Sequence, residues 1–151
     1  MDIWPTVLRY AETYGLPPAL VLAMLVAESG NPETGKPNPY AERWGDWPDR
    51  SFGCAQMTVQ TAALYGLGRG TPSDTDTVRK ALFDRELAID LGARHLATCY
   101  DLAGRDWLGA LVCYNSGQVH PVGDWWWVQW RANIVRYQGS IAWAVATVGV
   151  S

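Results

Sequence analysis

The chain carries an uninterrupted apolar run, Ala19-Leu20-Val21-Leu22-Ala23-Met24-Leu25-Val26-Ala27, that ends on an acidic residue, Glu28, followed by Ser29 and Gly30. A stretch apolar on every side reads as a helix buried all round, so the other elements must be arranged about it. Pro17-Pro18 suits the first turn of that helix, where a missing N–H has no partner to lose, and the predicted helix runs from about Pro18 to Ser29. Glu28 falls on its last turn. Taking an ionised carboxylate out of water is costly unless it is paired or its pKa rises, so Glu28 is either a cap at an exposed helix end or a group kept for chemistry.

Spacing predicts further helices. Trp4, Leu8, Ala11 and Tyr14 form an apolar face stopped by Gly15; Val59, Ala62, Ala63 and Tyr65 form another, stopped by the Gly66–Gly70 cluster. Asp84 opens a helix through Leu87, Leu91, Leu96 and Tyr100 that ends at Gly104, and Asp106 N-caps one through Leu108, Leu111 and Val112. The last stripe, Trp127, Trp130, Ile134, Tyr137, Ile141, Val145 and Val148, reads as one long helix with a place for a bend at Gly139. No segment alternates like a strand. Between Gly30 and Arg50, Asn31-Pro32, Gly35, Pro37, Pro39 and Trp47-Pro48 break regular structure and predict a long packed loop, with Tyr40, Trp44 and Trp47 facing substrate. The expected class is therefore all-α, in a single domain over 1–151 that buries about two-thirds of its unfolded surface.

Composition narrows the partners. The net charge of -3, without a block of like charges, gives neither nucleic-acid phosphate nor an anionic membrane surface an evident counterpart. No apolar run approaches the roughly 20 residues needed to span a bilayer. The glycine cluster at Gly66–Gly70 lacks the frame of a phosphate loop. Cys54, Cys99 and Cys113 show no paired spacing and are expected to be small buried thiols rather than a disulfide framework. His95 and Cys99 lie four apart, but two ligands without a third do not make a zinc site, and no metal or cofactor is expected. Nine tryptophans point to sugars, because the flat indole matches the C–H face of a pyranose while its N–H can still donate.

Three segments occur in one order: Glu28-Ser29, then Ser51-Phe52-Gly53-Cys54-Ala55-Gln56-Met57, then Cys113-Tyr114-Asn115-Ser116-Gly117. Together with the Tyr14-Gly15-Leu16-Pro17 lead-in they resemble soluble lytic transglycosylases and goose-type lysozymes, and the resemblance covers nearly the whole chain. It implies a lysozyme-like domain with a buried central helix and a long cleft loop, acting on bacterial peptidoglycan strands. Cleaving a glycosidic bond needs a proton for the leaving oxygen and support for an oxocarbenium-like transition state. Glu28 is the expected acid, its burial raising its pKa.

In lytic transglycosylases the same carboxylate then takes a proton from the muramic acid C6 hydroxyl, which attacks the anomeric carbon and leaves a 1,6-anhydro sugar. The alternative is hydrolysis of the goose type, in which a loop aspartate helps activate water and the two carboxyls stand about 6.5–9.5 Å apart. Trp44-Gly45-Asp46 resembles the corresponding segment, which makes Asp46 the candidate, with Asp49 behind it; both also read as turn formers beside Pro48. The resemblance gives Tyr114 a hydroxyl directed at the catalytic Glu, gives Asn115 and Gln56 sugar or acetamido contacts, and leaves Ser29 and Ser51 to orient Glu28 or line the cleft. Read without it, Tyr114 is a core tyrosine, Gln56 a surface amide and the serines caps.

Departures from the family pattern are local. Cys54-Ala55 precede Gln56 where Leu-Met is usual, Cys113 stands for Ala, and Ala88 replaces an Asn in the Asp84–Gly92 helix, while Gly92 is kept for close packing. Neighbouring tryptophans on a helix point about 100° apart. Trp127 and Trp130 belong to the core stripe, which leaves Trp125 and Trp126 for glycan stacking or a partner surface. A third reading, a glycan-binding module without turnover, is disfavoured by the intact Glu28, Gln56, Tyr114 and Asn115. The Met1-Asp2-Ile3-Trp4-Pro5 start has no basic n-region, so the expectation is a monomer made in a cytoplasm and acting on the wall as a phage endolysin or virion-associated lysin.

Overall fold

The computed structural model describes residues 2–31 and 34–150, so Pro32 of the loop, like Met1, lies outside the described residues. Helix α1 spans Trp4–Tyr14 and stops at Gly15, whose left-handed φ of 68° lets its N–H reach Glu12 O while Leu16 N reaches Ala11 O. This double bond is the Schellman stop that glycine favours. The buried face of α1 is Val7 and Ala11, continuing Ile3, and Leu8, expected inside, is 41% exposed. Helix α2 spans Pro18–Ser29, and every side chain from Ala19 to Leu25 is fully buried.

The segment expected to be an irregular loop contains strands. Strands β1 (Glu42–Trp44), β2 (Arg50–Phe52) and β3 (Met57–Thr58) form an antiparallel sheet in the order β1-β2-β3, with Glu42 opposite Phe52 and Ser51 opposite Thr58. Two or three residues cannot display a period-two pattern, and β1 is exposed along its length, so alternation left no trace in the sequence. Helix α3 (Val59–Leu64) follows, N-capped by Thr58, whose hydroxyl accepts from Thr61 N. A 3-10 turn at Pro72–Asp74 leads into α4 (Thr75–Leu82), a helix absent from those expected from spacing.

Helix α5 spans Arg85–Leu102, with Asp84 Oδ1 accepting from Leu87 N, and α6 spans Trp107–Ser116, capped by Asp106 Oδ2 accepting from Gly109 N at 2.7 Å. The long last helix is two helices. Helix α7 (Trp125–Gln129) is N-capped by Asp124, and Trp130, with φ -106° and ψ 35°, breaks the chain before α8 (Arg131–Val148). That break changes the phase of the tryptophans: Trp126 is buried at 5% exposure, whereas Trp130 stands 45% and Trp125 62% exposed. Trp126 is thus a core residue and Trp130 a surface one, the reverse of the uninterrupted-stripe expectation.

The chain divides into two compact units, one from the residues up to Ala27 together with those from Ala93 onward, the other Glu28–Gly92. In the first, α6 packs on α8, with Leu96, Leu111, Val112, Ile134, Tyr137 and Ala144 buried. It contains a disulfide between Cys99 of α5 and Cys113 of α6, which corrects the expectation of three free thiols; Cys54 alone is free among the described cysteines. In the second unit Phe52, Met57, Val59, Ala62, Val78, Leu82 and Leu91 form one cluster, and Trp47 packs against it. Full burial of the Val, Leu, Phe and Met side chains among them stabilises by about 1.5–3 kcal/mol each. Among the described residues no single helix is long and apolar enough to cross a membrane.

Candidate active site

Within the second unit the structure joins two of the three sequence motifs. Glu28 is half-buried on the last turn of α2, and the next residue, Ser29, donates its hydroxyl to Cys54 O at 2.7 Å. Ser29 Oγ in turn accepts from Asn38 N at 3.0 Å. Ser29 therefore ties the end of the buried helix both to the Phe52-Gly53-Cys54 segment and to the chain shortly before β1. Asn38 extends the chain of contacts, its Oδ1 accepting from Tyr40 N at 3.0 Å.

Gln56 is the second node. Its Oε1 accepts from Ser51 Oγ at 2.9 Å, and its Nε2 donates to Gly53 O at 2.9 Å and Ala41 O at 3.1 Å. Both amide hydrogens are thus engaged by backbone carbonyls, and a sugar contact would fall to the remaining lone pair of Oε1. Gln56 also has a left-handed φ of 47°. Such a conformation costs an ordinary residue roughly 1–2 kcal/mol and persists where surrounding bonds over-determine it, as these three do. Cys54 and Ala55, which lie between the nodes, are completely buried. Burial pushes the Cys54 thiol up to about 12, so it is a packed thiol and not a nucleophile.

Asp46 sits differently. It is exposed in the turn between β1 and β2, where Asp49 N donates to Asp46 O at 2.6 Å across a cis Trp47–Pro48 peptide. Arg50 closes the base of this turn, its Nε donating to Gly45 O and its guanidinium carbon 5.7 Å and 5.9 Å from the Trp44 and Trp47 ring centres. Asp49 is exposed in the same turn. Trp44, 57% exposed, rests edge-on against Phe52 at 5.1 Å, and Tyr40, 69% exposed, rests on Phe83 at 5.6 Å. Arg79 of α4 braces β1 through an ion pair with Glu42.

The third motif lies in the first unit. Tyr114 is buried near the end of α6, Asn115 is half-buried beside it, and Gly117 ends the helix with φ 83°. The Tyr114 ring lies 5.1 Å from that of His95, tilted by 51°. Burial pushes the His95 imidazole down to about 4, so it is neutral at neutral pH. Neither the His95 contact nor the disulfide was foreseen. The signal for the disulfide was present: Cys99 and Cys113 stand seven residues to either side of Asp106, so a helical hairpin turning there brings them level. Among the described residues no group of three His, Cys, Asp or Glu is placed to hold a metal ion.

Removing the Ser29 hydroxyl should therefore loosen the joint between the motifs. Ser29→Ala leaves Cys54 O and Asn38 N without this partner, and an unpaired, partly buried polar group costs about 1–3 kcal/mol. The expected result is a thermal midpoint lower by roughly 2–12 °C, read by calorimetry. An unchanged midpoint would show that the tie is dispensable.

A carboxylate on the last turn of a buried helix, hydrogen-bonded loop segments behind it and a predominantly helical frame define a domain of the lysozyme-like class. The chain belongs to the Transglycosylase SLT domain family, whose model matches residues 5–126. It is accordingly an enzyme of the peptidoglycan glycosidases, with activity of the lytic transglycosylase type. The matched span stops within α7 and leaves α8 beyond it. No curated protein and no solved structure matches the chain significantly.

Proposed function

We propose that the enzyme cleaves the β-1,4 bond between N-acetylmuramic acid and N-acetylglucosamine with Glu28 as the one catalytic carboxyl, forming 1,6-anhydromuramic acid. The observation that carries this reading is the Ser29–Cys54 hydrogen bond, which holds the Glu28-Ser29 motif to the Phe52-Gly53-Cys54 motif in the arrangement expected of a single functional site. Glu28 protonates the glycosidic oxygen as the bond to the anomeric carbon breaks. The resulting carboxylate then accepts the C6 hydroxyl proton while the C6 oxygen bonds to the anomeric carbon, and Glu28 is regenerated protonated. Water is not consumed. The family resemblance assigns Tyr114 a catalytic hydroxyl and Asn115 a polar contact to the sugar, whereas Ser51 and Gln56 act mainly by fixing the loop.

Asp46 is exposed in the turn between β1 and β2 and closes that turn through its backbone carbonyl, a placement that favours the one-carboxyl route over water activation by Glu28 and Asp46. The test is mass spectrometry of soluble products from purified peptidoglycan. Products lighter by one water and lacking a reducing end are expected, and reducing muramic acid ends would overturn the proposal in favour of hydrolysis. Asp46→Asn should change the rate less than about threefold, since general acid–base partners contribute about 10²–10⁴-fold when removed. A loss within that larger range would make Asp46 a partner of Glu28.

A further inference from the structure

We propose that the Cys99–Cys113 disulfide and His95 together position Tyr114, so that turnover depends on the oxidation state of this cysteine pair. The inference rests on the reading of Tyr114 as a catalytic residue. On α5, His95 and Cys99 are one turn apart and so share a face. On α6, Cys113 and Tyr114 are consecutive. The structure links these two pairs twice, through the sulfur–sulfur bond and through the ring contact at 5.1 Å. Both links bear on the last turns of α6, ahead of the left-handed Gly117, where helix carbonyls lose their intrahelical partners and the backbone is least constrained.

Apolar burial is non-directional, so it fixes the placement of a helix less closely than a covalent link does. Ahead of Cys113 and Tyr114, the buried side chains of helix α6 are Ala110, Leu111 and Val112, aliphatic groups that make only non-directional contacts. The disulfide supplies a directional one, adjacent to the residue whose hydroxyl must be placed. His95 completes it as a ring that burial keeps uncharged, packed against the tyrosine. Positioning of this kind is worth much in rate, since a displacement of about 1 Å can cost roughly 10²-fold.

The bond forms by thiol–disulfide exchange with a small-molecule disulfide as oxidant. One thiolate of the pair attacks the oxidant, releasing one thiol, and the other thiolate displaces the second. The Cys99 and Cys113 S–H bonds are lost, the S–S bond forms, and the oxidant leaves as two thiols, carrying two electrons and two protons. Because both cysteines are buried, at 1% and 2% exposure, exchange requires α5 and α6 to separate locally, and the state set on folding persists.

The experiment compares the oxidised full chain with the same chain folded in the presence of a dithiol, and with the Cys99→Ala/Cys113→Ala double variant. Each is measured in the wild-type and Tyr114→Phe backgrounds. Thiol titration in denaturant should count one thiol in the oxidised protein, from Cys54, and three in the reduced one. On solubilised peptidoglycan, loss of the bond should lower kcat about 10- to 100-fold with KM little changed, and should cost nothing further once Tyr114 is Phe. Disulfide-free protein with wild-type kcat, while Tyr114→Phe is slow, overturns the proposal and leaves the role of Tyr114 standing. An equal loss in both backgrounds also overturns it, showing a general effect of stability. A Tyr114→Phe enzyme with wild-type kcat removes the reading of Tyr114 and the proposal with it. Should the disulfide-free chain fail to fold, His95→Ala, which keeps the bond, decides: a lowered kcat that vanishes in the Tyr114→Phe background supports the proposal, and wild-type kcat overturns it.

Discussion

Glu28→Gln is expected to slow release of soluble muropeptides from purified peptidoglycan by about 10²–10⁴-fold, the range that a positioned general acid and base contributes. The substitution keeps the side-chain length and a hydrogen-bonding head but removes both the proton that the leaving oxygen needs and the carboxylate that later accepts one from the C6 hydroxyl. A one-carboxyl mechanism loses its two proton transfers together, so no second residue takes over half of the work. The fold should survive, because Glu28 is only half-buried, on the last turn of α2, and the packing of that helix is carried by Ala19–Leu25. Turbidity clearance or reversed-phase analysis of the soluble fraction reads the rate, and a thermal midpoint within a few degrees of wild type certifies the fold. A variant that retains more than a tenth of the activity would show that the reacting carboxyl lies elsewhere.

The elements that were legible in the sequence are those with local causes. Pro18 opens α2, Gly15 and Gly104 end α1 and α5 by left-handed stops, and Asp106 caps α6, each through bonds made within a few residues. What was not legible depends on partners distant in sequence or on elements too short for a period. The β-sheet is built from strands of two and three residues, held by Phe52 and Met57 entering a cluster with Leu82. The tryptophans depart from the phase of a continuous stripe because one residue, Trp130, leaves helical geometry and separates α7 from α8. At the candidate site the sequence marks Glu28 as the acid, Ser29 and Ser51 as groups that orient it, line the cleft or cap, and Gln56 as a cleft amide. The structure shows the hydroxyls and the amide N–H groups engaged with the chain itself, a use that only the folded carbonyls of Ala41, Gly53 and Cys54 could disclose.

Gly53→Ala should be the most damaging small substitution in the second unit, lowering stability by about 3 kcal/mol or more from two additive causes. Gly53 has φ 82°, a conformation that costs an L-residue roughly 1–2 kcal/mol. An added Cβ would also lie 2.4 Å from Leu82 O, and backbone cannot swing aside as a flexible side chain can. Gly15→Ala separates the two causes, since Gly15 has a similar φ of 68° but nothing within 4 Å of a new Cβ, and so bears only the conformational cost. At about 2–4 °C per kcal/mol for a chain of this size, Gly53→Ala should lower the thermal midpoint by about 6–12 °C or more and Gly15→Ala by about 2–8 °C. The damage at Gly53 reaches the site: its N–H donates to Ala41 O, its carbonyl accepts from Gln56, and the next residue offers the carbonyl held by Ser29. Activity measured well below the midpoint should therefore fall for Gly53→Ala and not for Gly15→Ala. Equal midpoints for the two variants would show that α4 yields to the methyl group, and that the closeness of Gly53 to Leu82 does not constrain the loop.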